Sequence, residues 1–180
     1  SLINDVLTLS KLDESAFEND GATAINLYAV AQRVAGRLSS FADDQGVRVR
    51  VEGASACIAG SETLAEEMLY NLIENGIRYN HEGGLVTMKV GSECVEGGLA
   101  NAAYQTVVRV SDTGPGIPAE LHDKVFERFF RVDKSRSKET GGTGLGLAIV
   151  KHAVMYHGGV IEVESAEGQG TTFVLRFPSA

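Results

Sequence analysis

Two-residue alternations arrive in pairs joined by glycine turns, with helical patterns between them, and few architectures accommodate that order. Val160 to Glu164 and Thr171 to Phe177 alternate across Gly168-Gln169-Gly170 and read as a closing hairpin. Leu85 to Gly91 and Tyr104 to Ser111 form a second pair, and the glycine-rich insert between them reads as an exposed hairpin loop. Upstream, a short strand is expected around Ala22 to Leu27. Val47, Val49 and Val51 alternate with charged residues as a half-exposed strand, and Ala56 to Ala59 is a weaker one. Helical spacing predicts a helix from Tyr28 to Gln45 closing on Gly46, and a long one from an N-cap at Ser61 to about Tyr79. A short helix is expected from Pro118 to about Val125, and another from about Leu145 to His157 ending at Gly158-Gly159. The class is therefore α+β: a two-layer α/β sandwich with a mixed, mostly antiparallel sheet and helices on one face.

The first residues stand apart from this plan. Leu2, Val6, Leu9 and Asp13, with Ile3 and Leu7 alongside, give a helical stripe over residues 1–14. A polar stretch from Glu14 to Gly21 breaks it, so the expected division is helix 1–14, linker 15–22 and a folded domain 23–180. The 180 residues suffice for one domain with a substantial core. A net charge of −8 argues against a nucleic-acid surface. No apolar run approaches the roughly 20 residues of a membrane span, and the start lacks the basic flank of a signal peptide. Cys57 and Cys94 lack motif spacing, and the four histidines form no metal-ligand cluster.

Four segments carry chemistry suited to a nucleoside triphosphate. In the long helix, Asn71, Asn75 and Arg78 fall within a roughly 60° arc, where amide oxygens and a guanidinium suit a hard cation and its phosphates. Asp112-Thr113-Gly114-Pro115-Gly116-Ile117-Pro118 ends a strand. Its carboxylate can accept from an exocyclic amine such as adenine N6, while Gly114 and Gly116 let the backbone approach the ring. Gly141-Gly142-Thr143-Gly144-Leu145-Gly146-Leu147-Ala148 opens into a helix, where free N–H groups and the helix dipole attract phosphate. A dinucleotide fingerprint fails here, because Leu147 stands where its last glycine is due and a charged loop replaces the preceding strand. A phosphate-binding loop of the Walker type fails as well, since no Gly-Lys-Ser/Thr follows the glycines. Lastly, Arg128, Arg131, Lys134, Arg136 and Lys138 concentrate positive charge beside those glycines in an acidic protein.

Taken in this order, the four segments resemble the N, G1, F and G2 boxes of the sensor histidine kinase ATP-binding domain, with the Bergerat nucleotide fold of the GHKL superfamily. The likeness covers about residues 23–177, and residues 2–13 resemble the end of the second dimerisation and phosphoacceptor helix of such kinases. It implies ATP and Mg²⁺ as cofactors. Asn75 is then the Mg²⁺ ligand, with Asn71 and Arg78 nearby and Tyr79 against the nucleotide. Asp112 holds the adenine amine, Gly114, Gly116 and Ile117 shape its pocket, and Thr171 supports it from the last strand. Residues from about Asp133 to Thr143 form a lid over ATP. Arg131 reaches the terminal phosphates, and Gly142, Thr143, Gly144, Leu145, Gly146 and Leu147 frame them. Arg78 stands where lysine is common and Gly76 where alanine is common, changes that keep the charge and the small size.

Asn71 separates transfer from hydrolysis. Hydrolysing relatives carry a glutamate there that activates water, whereas an amide takes no proton at neutral pH. The implied nucleophile is a histidine on the first dimerisation helix. Residues 1–80 hold no histidine, so that helix is expected to be absent from this chain. The resemblance further implies a response regulator receiver domain and the protein's own phosphoacceptor helices as partners, a full-length homodimer, and a cytoplasmic domain of a parent anchored in the bacterial inner membrane. Two rival expectations are an ATP-gated regulatory module and a serine kinase of the anti-sigma type on the same fold.

Overall fold

The computed structural model describes residues 23–95, 103–132 and 142–180. The helix expected over 1–14, the linker after it, the tip of the first hairpin loop and the basic positions Lys134, Arg136 and Lys138 lie outside the described residues. In chain order the elements are β1 (Thr23–Asn26), α1 (Leu27–Arg37), α2 (Ser39–Asp44), β2 (Arg48–Gly53), β3 (Cys57–Gly60) and α3 (Glu62–Arg78). They are followed by β4 (Leu85–Val95), β5 (Ala103–Asp112), α4 (Gly146–Tyr156), β6 (Val160–Ser165) and β7 (Thr171–Pro178). The main sheet has the order β2-β4-β5-β7-β6; β2 and β4 run parallel and the other neighbours antiparallel. β1 and β3 form a separate antiparallel pair.

Alternation along the strands decides which face the helices cover. Val86, Met88 and Val90 of β4, Val108 and Val110 of β5, and Phe173, Leu175 and Phe177 of β7 are buried in one core with the helices. Opposite them, Glu93 pairs with Arg109 at 2.6 Å, and Arg176 pairs with Glu162. Such exposed pairs contribute at most about 1 kcal/mol each, so the core rather than this charged face stabilises the sheet. The two-layer expectation therefore stands, and the sheet register delivers its functional consequence. Asp112 pairs with Val86 on one side and Thr171 on the other, which places the acid at the very end of β5 between two strands.

α3 is long because its signals agree. The Ser61 hydroxyl accepts from Leu64 N at 3.4 Å, and Ala65, Met68, Leu69, Leu72, Ile73, Gly76 and Ile77 form its buried stripe. Burying each large aliphatic side chain contributes about 1.5–3 kcal/mol. α4 lies antiparallel to it. Where α4 ends and α3 begins, buried His157 ties the two: Nδ1 donates to Ala153 O at 2.7 Å, and Nε2 accepts from Ser61 N at 3.2 Å. The opposite ends of both helices are thereby left to form the site.

Three elements differ from expectation. The helix predicted over Tyr28–Gln45 is two, broken at Leu38 (φ −93°, ψ 1°), where the Ser39 hydroxyl bonds Gly36 O at 2.9 Å and competes with the helical ladder. In place of a helix after Pro118 there are two single 3₁₀ turns, Ala119–Leu121 and Lys124–Phe126; of these residues Val125 is the buried one, too little apolar contact to support a longer helix. β4 continues past Gly91 to Val95, because β5 supplies a partner for each added residue.

Candidate functional site

One end of the site is made of strand ends and tight turns. Asp112 Oδ1 accepts from Gly114 N at 2.8 Å. Burial pushes the Asp112 carboxyl above the usual carboxylate range, and backbone N–H groups of Gly114 and Thr171 draw it part of the way back. No side chain fits at Gly114, where a Cβ would stand 2.8 Å from Asp112 Oδ1 and 3.0 Å from Tyr79 O. Gly76 lies beneath; a Cβ there would press on Val86 at 3.1 Å, so alanine needs only a small adjustment. Ile117 is half-buried against the core, and Thr171 is 6% exposed.

The other end is made of helix faces. Asn71 Nδ2 donates to Glu67 O at 2.9 Å, which orients its amide. A Cβ on Gly146 would stand 2.7 Å from Asn71 Oδ1 and 3.7 Å from Asn75 Nδ2. Both amides of α3 therefore face the first turn of α4. Among the described residues no side chain caps that turn; Thr143 Oγ1 instead accepts from Leu145 N at 3.4 Å. Backbone N–H groups at the start of an eleven-residue helix carry partial positive charge, the arrangement that attracts phosphate. Leu145 is fully buried against Ile149, and Leu147 packs on the main core, so both anchor the turn rather than enter the site.

Arg131, Tyr79 and Gly142 meet at its rim. The Arg131 guanidinium donates to Gly142 O, and a side chain at Gly142 would touch Tyr79 Oη at 3.0 Å. Beside them Phe129, at φ 64°, donates its N–H to Gly144 O at 2.9 Å, and Gly144 (φ 73°) approaches the Phe129 backbone so closely that a Cβ would stand 3.0 Å away. Arg78 takes another direction. It pairs with Glu74 at 2.7 Å and lies over the Phe41 ring of α2, so a phosphate would compete with those contacts for it. Among the described residues no group of three or more His, Cys, Asp or Glu is placed to hold a metal. A cation here would rely on amide and phosphate oxygens, donors that suit magnesium.

Residues 60–180 match the family described as histidine kinase-, DNA gyrase B-, and HSP90-like ATPases. The chain belongs to this family. It is 38% identical over 178 residues to Sensor protein IrlS of Burkholderia pseudomallei, covering 99% of this chain and 36% of that protein. Sensor-like histidine kinase SenX3 of Mycobacterium tuberculosis is 35% identical over 179 residues, covering 99% of this chain and 41% of SenX3. The chain thus spans about two fifths of the length of these relatives. Among solved structures, the mycobacterial sensor histidine kinase MprB superposes with a TM-score of 0.72 at 26% identity, covering 88% of this chain and 98% of MprB. Full-length ShkA in complex with AMPPNP gives 0.79 at 28% identity, covering 99% of this chain and 35% of ShkA. The ATP-binding domain of a sensor histidine kinase is the module these likenesses share with it.

Within this ATPase-family domain, some positions that shape the site have no sequence signature. Asn80, just beyond α3, donates to Leu85 O at 3.3 Å, and its Oδ1 accepts from the Thr113 hydroxyl at 3.1 Å. Thr113 Oγ1 in turn accepts from Leu85 N at 2.9 Å. These bonds tie the end of the Asn71–Asn75 helix to the loop after Asp112. An amide after a helix and a hydroxyl in a turn are commonplace in sequence; their partners lie 5 and 33 residues away.

Proposed function

We propose that the domain binds Mg²⁺-ATP and transfers its γ-phosphoryl group to a histidine of the parent protein's phosphoacceptor helices, for relay to a response regulator aspartate. The observation that carries this reading is the facing of Asn71 and Asn75 onto the uncapped first turn of α4, with Asp112 held beside Gly76 of the same helix α3, where a Cβ would stand 3.5 Å from the Asp112 side chain. The adenine amine donates to Asp112, and guanine, with a carbonyl at that position, offers the half-buried carboxylate no donor there. Gly146, where a Cβ would fill the space before Asn71, lets the phosphates come close to α4. The magnesium ion, held by Asn75 with Asn71 adjacent, supplies charge neutralisation at the phosphate oxygens. Arg131 and the N–H groups of α4 orient the terminal phosphates, with Thr143 and Leu145 at their border and Tyr79 against the nucleotide. Asn71 accepts no proton, so nothing at that position prepares water for attack. Positioning and electrostatics then carry the reaction, as they do in phosphoryl transfer generally.

The parent protein is proposed to act as a homodimer anchored in the bacterial inner membrane, with residues 1–14 ending its dimerisation helix and residues 15–22 linking it to this domain. Among the described residues, no helix is long and apolar enough to cross a membrane. Supplying a separate phosphoacceptor helix pair with labelled ATP tests the proposal. Acid-labile label on the helices is the expected result. Acid-stable label would assign a serine kinase instead, and ATP binding without any label would reduce the domain to a regulatory module.

A further inference from the structure

Ser165, the last residue of β6, sits where the loop after β5 meets the β6–β7 hairpin. Its Oγ accepts from Ile117 N at 2.8 Å, donates to Gly170 O at 2.8 Å, and lies 3.0 Å from Thr171 Oγ1. A hydroxyl offers one proton and two lone pairs. With the proton committed to Gly170 O, Thr171 donates in the third contact, and every bonding position of Ser165 is used. The same two segments also meet along their backbones. Gly168 N donates to Pro115 O at 2.6 Å, and Gly116 (φ 75°) comes so near Ala166 that a Cβ would stand 2.0 Å from its carbonyl oxygen. At Gly170 (φ 79°) a Cβ would stand 2.1 Å from Asp112 O.

Each partner of Ser165 belongs to the wall or floor around Asp112. Ile117 follows the glycine turn of the pocket, Gly170 abuts the Asp112 backbone, and the N–H of Thr171 bonds the Asp112 carboxylate. We propose that Ser165 is a positioning residue for nucleobase recognition: without touching the nucleotide, its hydroxyl fixes the Asp112 carboxylate and the Ile117 backbone relative to each other, and thereby sets the preference for adenine. This inference rests on the ATP-binding reading above. The phosphate end is built on α3 and α4, which Ser165 does not contact through any of these bonds, so its effect is confined to the base.

That confinement gives a readout that general loosening of the fold does not reproduce. Calorimetry on the full 180-residue chain with magnesium compares ATP, GTP and inorganic tripolyphosphate as ligands. Ser165→Ala is expected to weaken ATP about tenfold, as loss of a part-buried hydrogen-bonding group does, with tripolyphosphate unchanged and the ATP-to-GTP preference reduced. Ser165→Thr, which keeps the hydroxyl, is expected to restore most of the ATP affinity. Wild-type ATP affinity and selectivity in Ser165→Ala would overturn the inference, as would equal losses for ATP and tripolyphosphate. Should Ser165→Ala show no cooperative melt, Ser165→Cys, similar in shape and a poor acceptor, is read by the same criteria. A wild-type chain that binds no ATP overturns the parent reading together with this one. A wild type that binds ATP beside a Ser165→Ala variant that binds it equally well overturns this one alone.

Discussion

The end of the site proposed to face the base is crowded with short direct bonds: Asp112 to Gly114 N, Ile117 N to Ser165, Ser165 to Gly170, and glycines pressed against carbonyls on both sides. At the end proposed to face the phosphates, Asn71 and Asn75 on one helix confront the first turn of another, and side-chain bonds seen there include those from Asn71 to Glu67 O, from Leu145 N to Thr143 and from Arg131 to Gly142 O. On the proposed reading, the contrast follows from what each end would have to recognise. A nucleobase is told from its analogues by one amine, and rigid dipoles are needed to make the wrong partner costly. A triphosphate is recognised mainly by charge, which N–H groups, amides and a cation satisfy over a wider range of positions. The first end is specified by fit and the second by field.

Asn75→Ala should bring the largest effect if this contrast holds. Magnesium-dependent ATP binding is expected to fall by at least about 100-fold, with an unchanged melting profile without nucleotide. Unchanged ATP affinity by calorimetry would remove Asn75 from the phosphate end. Asp112→Asn is next, with a loss of about 10- to 100-fold for ATP and little change for GTP. Equal losses for both nucleotides would show that the carboxylate is not what reads the base.

The Asp112 carboxyl also makes the comparison pH-dependent. Burial raises it above the 3.8 of a free aspartate, so folding favours its protonated form. The stability that this preference contributes is complete below pH 3.8 and is lost as pH rises through the folded value. The melting temperature of wild type should therefore fall relative to Asp112→Asn over that interval and then level off. Over the same interval ATP affinity should rise, because the adenine amine donates to the ionised form. A constant difference in melting temperature across the acid range would contradict the burial argument.

Arg131→Ala should cost several-fold in ATP affinity and leave adenosine binding unaltered, placing the guanidinium at one end alone; a matching loss for adenosine would spread its influence over both. The smallest effect is expected from Asn26→Ala, which removes the cap accepted by Tyr28 N and Ala29 N far from either end. It should cost about 1 kcal/mol, or roughly 2–4 °C in Tm, without change in ATP affinity. A nucleotide defect in this variant would show that binding merely follows global stability.

The field-specified end was more legible in sequence than the fit-specified one. Asn71, Asn75 and the glycines before α4 lie on one helix face and at one helix start, patterns with a period or a local motif, and the fold does bring Gly146 against Asn71. Asp112 was legible as a carboxylate ending an apolar strand. Its supports were not, because Ser165, Asn80 and Thr113 are single polar residues whose meaning lies in partners brought near by sheet register. Arg78 was expected to share the face of Asn71 and Asn75, and its guanidinium instead meets Glu74 and the Phe41 ring. Similar blindness affects the fold. Apolar spacing runs on through Leu38, Phe41 and Ala42, and the break between α1 and α2 arises from a serine hydroxyl bonding backward. Residues Ser92 to Val95 join β4 on the strength of pairing with β5, which no window along the chain contains.

The room in front of Asn71 exists only because position 146 carries no side chain, since a Cβ there would stand 2.7 Å from Asn71 Oδ1. Two positions so distant in the chain are then expected to change together through descent. A lineage that lengthens the side chain at 71 inherits a different approach to α4, and one that adds a methyl at 146 must first shorten or turn its asparagine. Joint variation of this pair across related genes is the mark such a bargain leaves behind.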